Sequence, residues 1–197
     1  MHQSSMRHMQ HLVEKHLASS ERLKVADLGS YDVNGSYRPI FDRPGWSYIG
    51  IDLAPGPNVD VVLTSPYRFP LDSNSLDVIV SGQAFEHIEF FWLTWLEMAR
   101  VIKPGGKIIL IAPSRGPEHR FPVDCWRFYT DGFLALAKYA SLDSLEVQTD
   151  WDPAPEEDSA PYGDTFGVFR KKAQNPYQKL RSMIGRRLRY WVMPGFR

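Results

Sequence analysis

Apolar residues along the chain keep two different rhythms. Short runs of aliphatic and β-branched side chains recur at Leu23–Leu28, Trp46–Leu53, Asp60–Leu63, Leu76–Ser81 and Lys107–Ala112, each followed within a few residues by Gly or Pro. Such runs read as buried strands. Between them lie stretches with helical spacing. Ser5–Ser19 puts Met9, Leu12, Val13, His16 and Leu17 on one face. Glu89–Val101 carries Phe90, Phe91, Trp92, Leu93, Trp95, Leu96, Met98 and Val101, enough apolar surface for a buried helix. Thr130 or Asp131 is placed to cap a helix running to Tyr139. The turn Lys103-Pro104-Gly105-Gly106 launches the fifth run, and Leu145–Trp151 with Thr165–Lys172 suits a closing antiparallel pair. Strands alternating with helices predict βαβ units and a mainly parallel sheet. The Pro-rich, acidic stretch Asp152–Gly163 reads as a surface loop, long enough to gate a site.

Composition narrows the class. With 197 residues, 43% of them hydrophobic and 23% charged, the chain has the profile of one soluble globular domain. Cys125 is the single cysteine, so an internal disulfide and a cysteine-built zinc site are both ruled out, and a reducing compartment is expected. The first residues, MHQSSMRHMQHLVEKH, lack the apolar core of a signal peptide. No apolar run approaches the roughly 18 residues of a membrane span, and the expected location is the cytoplasm. The net charge is +0 but unevenly spread: Ser141–Asp164 holds no Lys or Arg, and no acidic residue follows Asp164. In the basic tail, Tyr177, Leu180, Ile184, Leu188 and Trp191 recur at helical steps. The expected organisation is one domain over 1–172, opened by a helix over 1–20, with an amphipathic tail over 173–197. Such a tail packs on its own domain or a homodimer mate, or lies peripherally on an anionic membrane. Neutral overall charge without a recognition motif argues against nucleic acid.

Chemistry is concentrated where strands end. In VADLGSYDVNG (Val25–Gly35) a strand delivers Asp27 and then Gly29, and a turn leads toward a short helical stretch. Glycine there lets backbone approach a ligand closely, and helix-start N–H groups favour an anion. Asp52 ends the second strand, where a carboxylate can accept hydrogen bonds from ribose hydroxyls. The G-x-G-x-x-G pattern of dinucleotide binders is missing, which argues against NAD.

Five strings, ADLGSYDVNGS, YIGIDLAPGPNVD, FPLDSNSLDVIVSGQAFEHI, EMARVIKPGGKIIL and HRFPVDCWRFYTDG, together resemble the class I S-adenosylmethionine-dependent methyltransferases of the type-11 kind. The resemblance runs roughly from Arg22 to Lys171. It implies a Rossmann-like α/β three-layer sandwich whose seven-stranded sheet is mostly parallel, with the last strand antiparallel. The implied cofactor is S-adenosylmethionine, held by Asp27, Gly29, Ser30, Tyr31, Asp52, Leu53, Ser65 and Gln83. Two departures stand out: Tyr31 and Val33 replace the usual clustered glycines, and Ser65 or Thr64 stands where an adenine-facing acid is expected.

An acceptor site is expected on the loops after the fourth and fifth strands. His87, after the fourth strand, either lines the cofactor or acceptor pocket as a catalytic candidate or caps or packs beneath the next helix, and Glu86 beside it suits a structural or cofactor-side hydrogen bond. Pro113–Tyr129 follows the fifth and is dense in polar and aromatic groups. His119 is the first candidate for a general base, with Asp124 orienting it or binding the acceptor, unless Asp124 only pairs with Arg120 or Arg127. Trp126 and Phe128 fit core positions, Cys125 reads as a packing residue, and no tight ligand spacing calls for a metal. The expected function is methylation, chiefly of oxygen, on a small molecule or sugar. The competing expectation is a catalytically inactive methyltransferase-like binding or adaptor module.

Overall fold

The computed structural model describes residues 3–151 and 161–173. The gating loop and the basic tail therefore lie outside the described residues, apart from the start of the closing strand. Helix α1 (Gln3–Leu17) leads into β1 (Leu23–Leu28), α2 (Arg38–Phe41), β2 (Trp46–Asp52), β3 (Val61–Val62) and β4 (Leu76–Gly82). A 3-10 turn over Phe85–His87 precedes α3 (Phe91–Val101), β5 (Ile102–Arg115), α4 (Thr130–Ala140), β6 (Leu142–Thr149) and β7 (Gly163–Lys171). The sheet has seven strands in the order β3-β2-β1-β4-β5-β7-β6. All pairs are parallel except the two made by β7.

Side-chain alternation along the central strands builds two cores. Ala26, Leu28, Ile79, Ile108 and Leu110 pack with α3 and α4 on one face. Val25, Val78, Val80, Ile109 and Ile111 pack with α1 on the other. The face of α1 expected from its spacing is the buried one, with Met9, Leu12, Val13 and Leu17 inside. In α3, Trp95 is fully buried and its indole N–H donates to the Leu136 carbonyl at 2.8 Å, tying α3 to α4.

Three local features differ from expectation. Lys103–Gly106 does not precede the fifth strand as a separate turn. Ile102 pairs with Leu76 and Lys107 with Val78, so the four residues bulge out of a single long β5. Gly105 has φ +81°, and a Cβ on Gly106 would come within 2.8 Å of the Lys103 carbonyl. Both glycines serve this bulge, at the end of the sheet opposite the C-termini of the parallel strands. Neither Thr130 nor Asp131 caps α4: Tyr129 holds the N-cap position, with no side-chain cap. Instead the Thr130 N–H donates to Thr149 Oγ1 at 3.0 Å. Finally, the short helical stretch after β1 comes late, since α2 starts only at Arg38 and spans four residues. Ahead of it the Gly35 N–H donates to Asp32 Oδ1 at 2.7 Å.

Candidate functional site

The C-terminal ends of β1, β2 and β4 open onto a cavity of about 360 Å³, where open α/β sheets place their ligands. The backbone of Gly29 forms part of its wall. Gly29 has φ +82°, and a Cβ there would meet Ala84 Cβ at 2.6 Å, so both conformation and space require glycine. Asp52 stands opposite. Its Oδ2 accepts the Tyr31 N–H at 3.1 Å and its Oδ1 the Ala54 N–H at 3.0 Å. Each oxygen thus keeps acceptor capacity, because a carboxylate offers about four lone-pair sites. The Tyr31 ring rests on Gly56, where any Cβ would lie 2.1 Å from ring carbon Cε2. Leu53 and Gln83 complete this side. Gln83 has φ +56°, unusual for a residue with a side chain, and its amide donates to Asp164 Oδ1 at 2.8 Å.

The other side of the cavity is a titratable cluster on the 3-10 turn and the loop after β5. Glu86 is fully buried, and neither carboxylate oxygen has a hydrogen bond among the described residues. Burial pushes this carboxyl up to about 8, against the pull of its own backbone N–H and of Arg127. The His87 Nδ1–H donates to the Val123 carbonyl at 2.5 Å, which leaves Nε2 as the acceptor nitrogen. Burial lowers the His87 pKa, so the ring is neutral at pH 7. His119 Nδ1 lies 3.3 Å from the Pro117 carbonyl, while its Nε2 lies 4.0 Å from Glu86 Oε1. The two imidazoles sit edge to face with centroids 5.0 Å apart.

Of the candidates read from sequence, Gly29, Tyr31, Asp52, Leu53, Gln83, His87 and His119 line one cavity. Asp27, Ser30, Ser65 and Asp124 do not. Asp27 is buried beneath the loop, accepting from the Tyr48 hydroxyl at 2.5 Å, and burial raises its carboxyl to about 7. Ser30 Oγ donates to the Asn58 carbonyl at 3.1 Å. Ser65 Oγ accepts the Tyr67 N–H at 3.2 Å, closing a local turn, and Leu63 and Pro66 line the cavity on either side of it. Asp124 is taken up by Arg127, at 2.6 and 2.8 Å, and by the His119 N–H at 2.8 Å. Arg127 holds its carboxyl well below the usual range. Asp124 therefore shapes the loop that carries His119, with Oδ2 3.7 Å from His119 Nδ1, and does not itself line the cavity. Arg120 pairs instead with Glu118.

Phe128 is core as expected, but Trp126 is 37% exposed and Cys125 is exposed. Burial, Glu89 and Asp124 push the Cys125 thiol up, away from the nucleophilic thiolate. The sequence reading gave Glu86 a structural or cofactor-side hydrogen bond and missed the lining residues Asn34, Phe121 and Tyr162. Their one signal is position, each lying on a loop beyond a strand C-terminus or just ahead of β7.

Residues 26–110 match the family model described as a methyltransferase domain. An uncharacterized methyltransferase of Mycobacterium bovis (strain BCG / Pasteur 1173P2) is 32% identical over 121 residues, covering 53% of this chain and 46% of its own length. The chain thus spans about half the length of the curated relatives it matches. Among solved structures, the Burkholderia thailandensis 1,6-didemethyltoxoflavin-N1-methyltransferase, with its substrate and S-adenosylhomocysteine bound, aligns at TM-score 0.68 and 16% identity, over 86% of this chain and 79% of its own. The Haemonchus contortus phosphoethanolamine N-methyltransferase 2, in complex with S-adenosyl-L-methionine, aligns at TM-score 0.61 and 12% identity, over 84% and 53%. Likeness at these identities shows a shared Rossmann-like fold.

Proposed function

We propose that this chain binds S-adenosylmethionine and transfers its methyl group to an oxygen of a small molecule or sugar. One observation carries the reading. A single cavity has a glycine-and-carboxylate cradle at one end and a buried Glu86 with two imidazoles at the other. The cradle fits the cofactor: Gly29 leaves backbone bare, and the Asp52 oxygens can each accept a ribose hydroxyl. When bound, the sulfonium supplies an already activated methyl group. The protein's share is alignment, exclusion of water and removal of the acceptor's proton. His87 Nε2, on a ring that burial keeps neutral, and the His119 imidazole stand at the cavity as candidate bases, suited to a hydroxyl acceptor, which must lose a proton as it reacts. The relatives bound to nitrogen acceptors make amine methylation the outcome to exclude.

Calorimetry with S-adenosylhomocysteine tests the cradle. Micromolar binding that weakens at least tenfold in Asp52→Ala is expected, since two hydrogen bonds to a charged group are lost. No binding at millimolar ligand would overturn the reading in favour of a catalytically inactive binding module. Incorporation of labelled methyl into a fractionated extract then finds the acceptor. With it, His119→Ala should lower turnover about a hundredfold, and unchanged turnover at saturation would remove His119 as the base.

A further inference from the structure

Glu86 and His87 are neighbours in the chain, and His119, 32 residues on, converges with them on one point. Glu86 Oε1 is 3.6 Å from His87 Nε2 and 4.0 Å from His119 Nε2, and one ligating atom from each residue falls within 4.8 Å of the others. Both imidazoles have Nδ1 at a backbone carbonyl, His87 at Val123 and His119 at Pro117, which leaves the Nε2 lone pairs facing the carboxylate. Metal-bound histidines are commonly oriented in this way. Glu86 supplies the second, independent sign: a fully buried carboxylate with no hydrogen bond to either oxygen among the described residues. A buried acceptor without a partner costs free energy unless something occupies it.

We propose that Glu86, His87 and His119 form a three-ligand site for a divalent transition cation of the zinc class, with its open position toward the cavity. Two imidazoles and one carboxylate favour zinc, cobalt(II) or iron(II) over magnesium or calcium, which prefer all-oxygen shells. Ligands at about 2.1 Å in a tetrahedral shell stand about 3.4 Å from one another. Glu86 Oε1 stands 3.6 and 4.0 Å from the two imidazoles, a closure of about 0.2–0.6 Å, and the set as a whole, within 4.8 Å, needs up to about 1.4 Å. His119 can supply it, because its side chain is 37% exposed. The site itself stands on protein geometry. Its role rests on the methyl-transfer reading: with metal bound both Nε2 lone pairs are taken, and the metal would replace the imidazoles as base by acidifying an acceptor hydroxyl at the open position, whose proton passes to solvent.

The test uses full-length protein stripped with chelator and dialysed against zinc or cobalt(II). Metal per chain is measured by elemental analysis, and cobalt coordination by its visible absorption. One equivalent of metal is expected, with affinity falling at least tenfold in His119→Ala and in the isosteric Glu86→Gln. His119 is half-exposed, so its truncation leaves the core intact. Failure to retain metal, or equal retention by wild type and both variants, would overturn the site. Calorimetry with S-adenosylhomocysteine on the same samples keeps this separate from the cofactor reading, which stands or falls on Asp52.

Discussion

Glu86 offers a stability signature that needs no substrate. Its carboxyl is raised by burial from 4.5 to about 8. A folded-state pKa above the unfolded value means that the unfolded chain releases this proton first as pH rises. Below about 4.5 the group is protonated in both states and has no effect. From there to about 8, stability falls by about 1.4 kcal/mol per pH unit, and above 8 the loss is complete, at most about 5 kcal/mol. Other groups overlap with the lower part of this window. Asp27, raised by burial to about 7, adds a fall of the same sign, and the lowered His8 and His87 oppose it below 6.5. Between pH 7 and 8 Glu86 is left as the main contributor. Urea unfolding at fixed pH, with chelator present to keep metal from pairing the carboxylate, should show a fall of about 1 kcal/mol across that unit. Glu86→Gln keeps the shape and cannot ionise, so its stability should stay level from 7 to 8 and exceed that of the wild type at pH 8. Parallel pH profiles for the two proteins would refute the premise that Glu86 is buried without a compensating partner.

Two further outcomes test the scaffold. Gly29→Ala adds a Cβ in a left-handed conformation 2.6 Å from Ala84 Cβ and should cost about 2–4 kcal/mol of stability, read by urea titration; a loss under 0.5 kcal/mol would mean the loop relaxes freely. Lys171→Met should cost about 3 kcal/mol by the same measurement, because the ammonium donates to the Ala99 and Ile102 carbonyls at 2.6 and 2.7 Å and to Asn74 Oδ1 at 2.8 Å, and a thioether leaves these acceptors without a donor; an unchanged midpoint would show that water replaces it.

Periodicity made the strands and the two large helices readable, because each buries a continuous apolar stripe. The cradle was readable at Gly29 and Asp52 because backbone conformation and strand ends limit what can stand there. What escaped was direction. Asp27 and Gly29 are two apart on one strand end, yet Asp27 points down into the α1-side core and the Gly29 backbone faces the cavity. Glu86 looked like an ordinary polar residue after a strand, and only the fold shows that its neighbours leave it without a partner. Asp124 had two readings open in the chain, orienting His119 or pairing with an arginine, and the fold gives it both contacts, to Arg127 and to the His119 N–H.

The two acids at the cradle divide the work by depth. Asp27 lies below the loop, where the Tyr48 hydroxyl donates to it, and Tyr48 also accepts from Asn58 Nδ2 at 3.3 Å. Asn58 takes a left-handed φ of +68° and donates to the Ser30 carbonyl at 2.9 Å, while Ser30 Oγ returns a bond to the Asn58 carbonyl. Asp60 Oδ2 accepts the Gly50 N–H at 2.7 Å and the Arg38 guanidinium at 2.6 Å. These bonds staple the loop after β2 onto the loop after β1, with no ligand needed to hold it. Gly50 is part of the staple, since any Cβ there would lie 2.0 Å from the Asn58 carbonyl oxygen. A loop held in this way does not have to be ordered on binding, which removes an entropic cost of about 1–2 kcal/mol per residue. The missing glycine cluster around Tyr31 is offset by this staple. Tyr31 presents its N–H to Asp52 through a backbone that Asn58 and Asp60 already fix, so the cradle keeps its shape with a single glycine at the strand end.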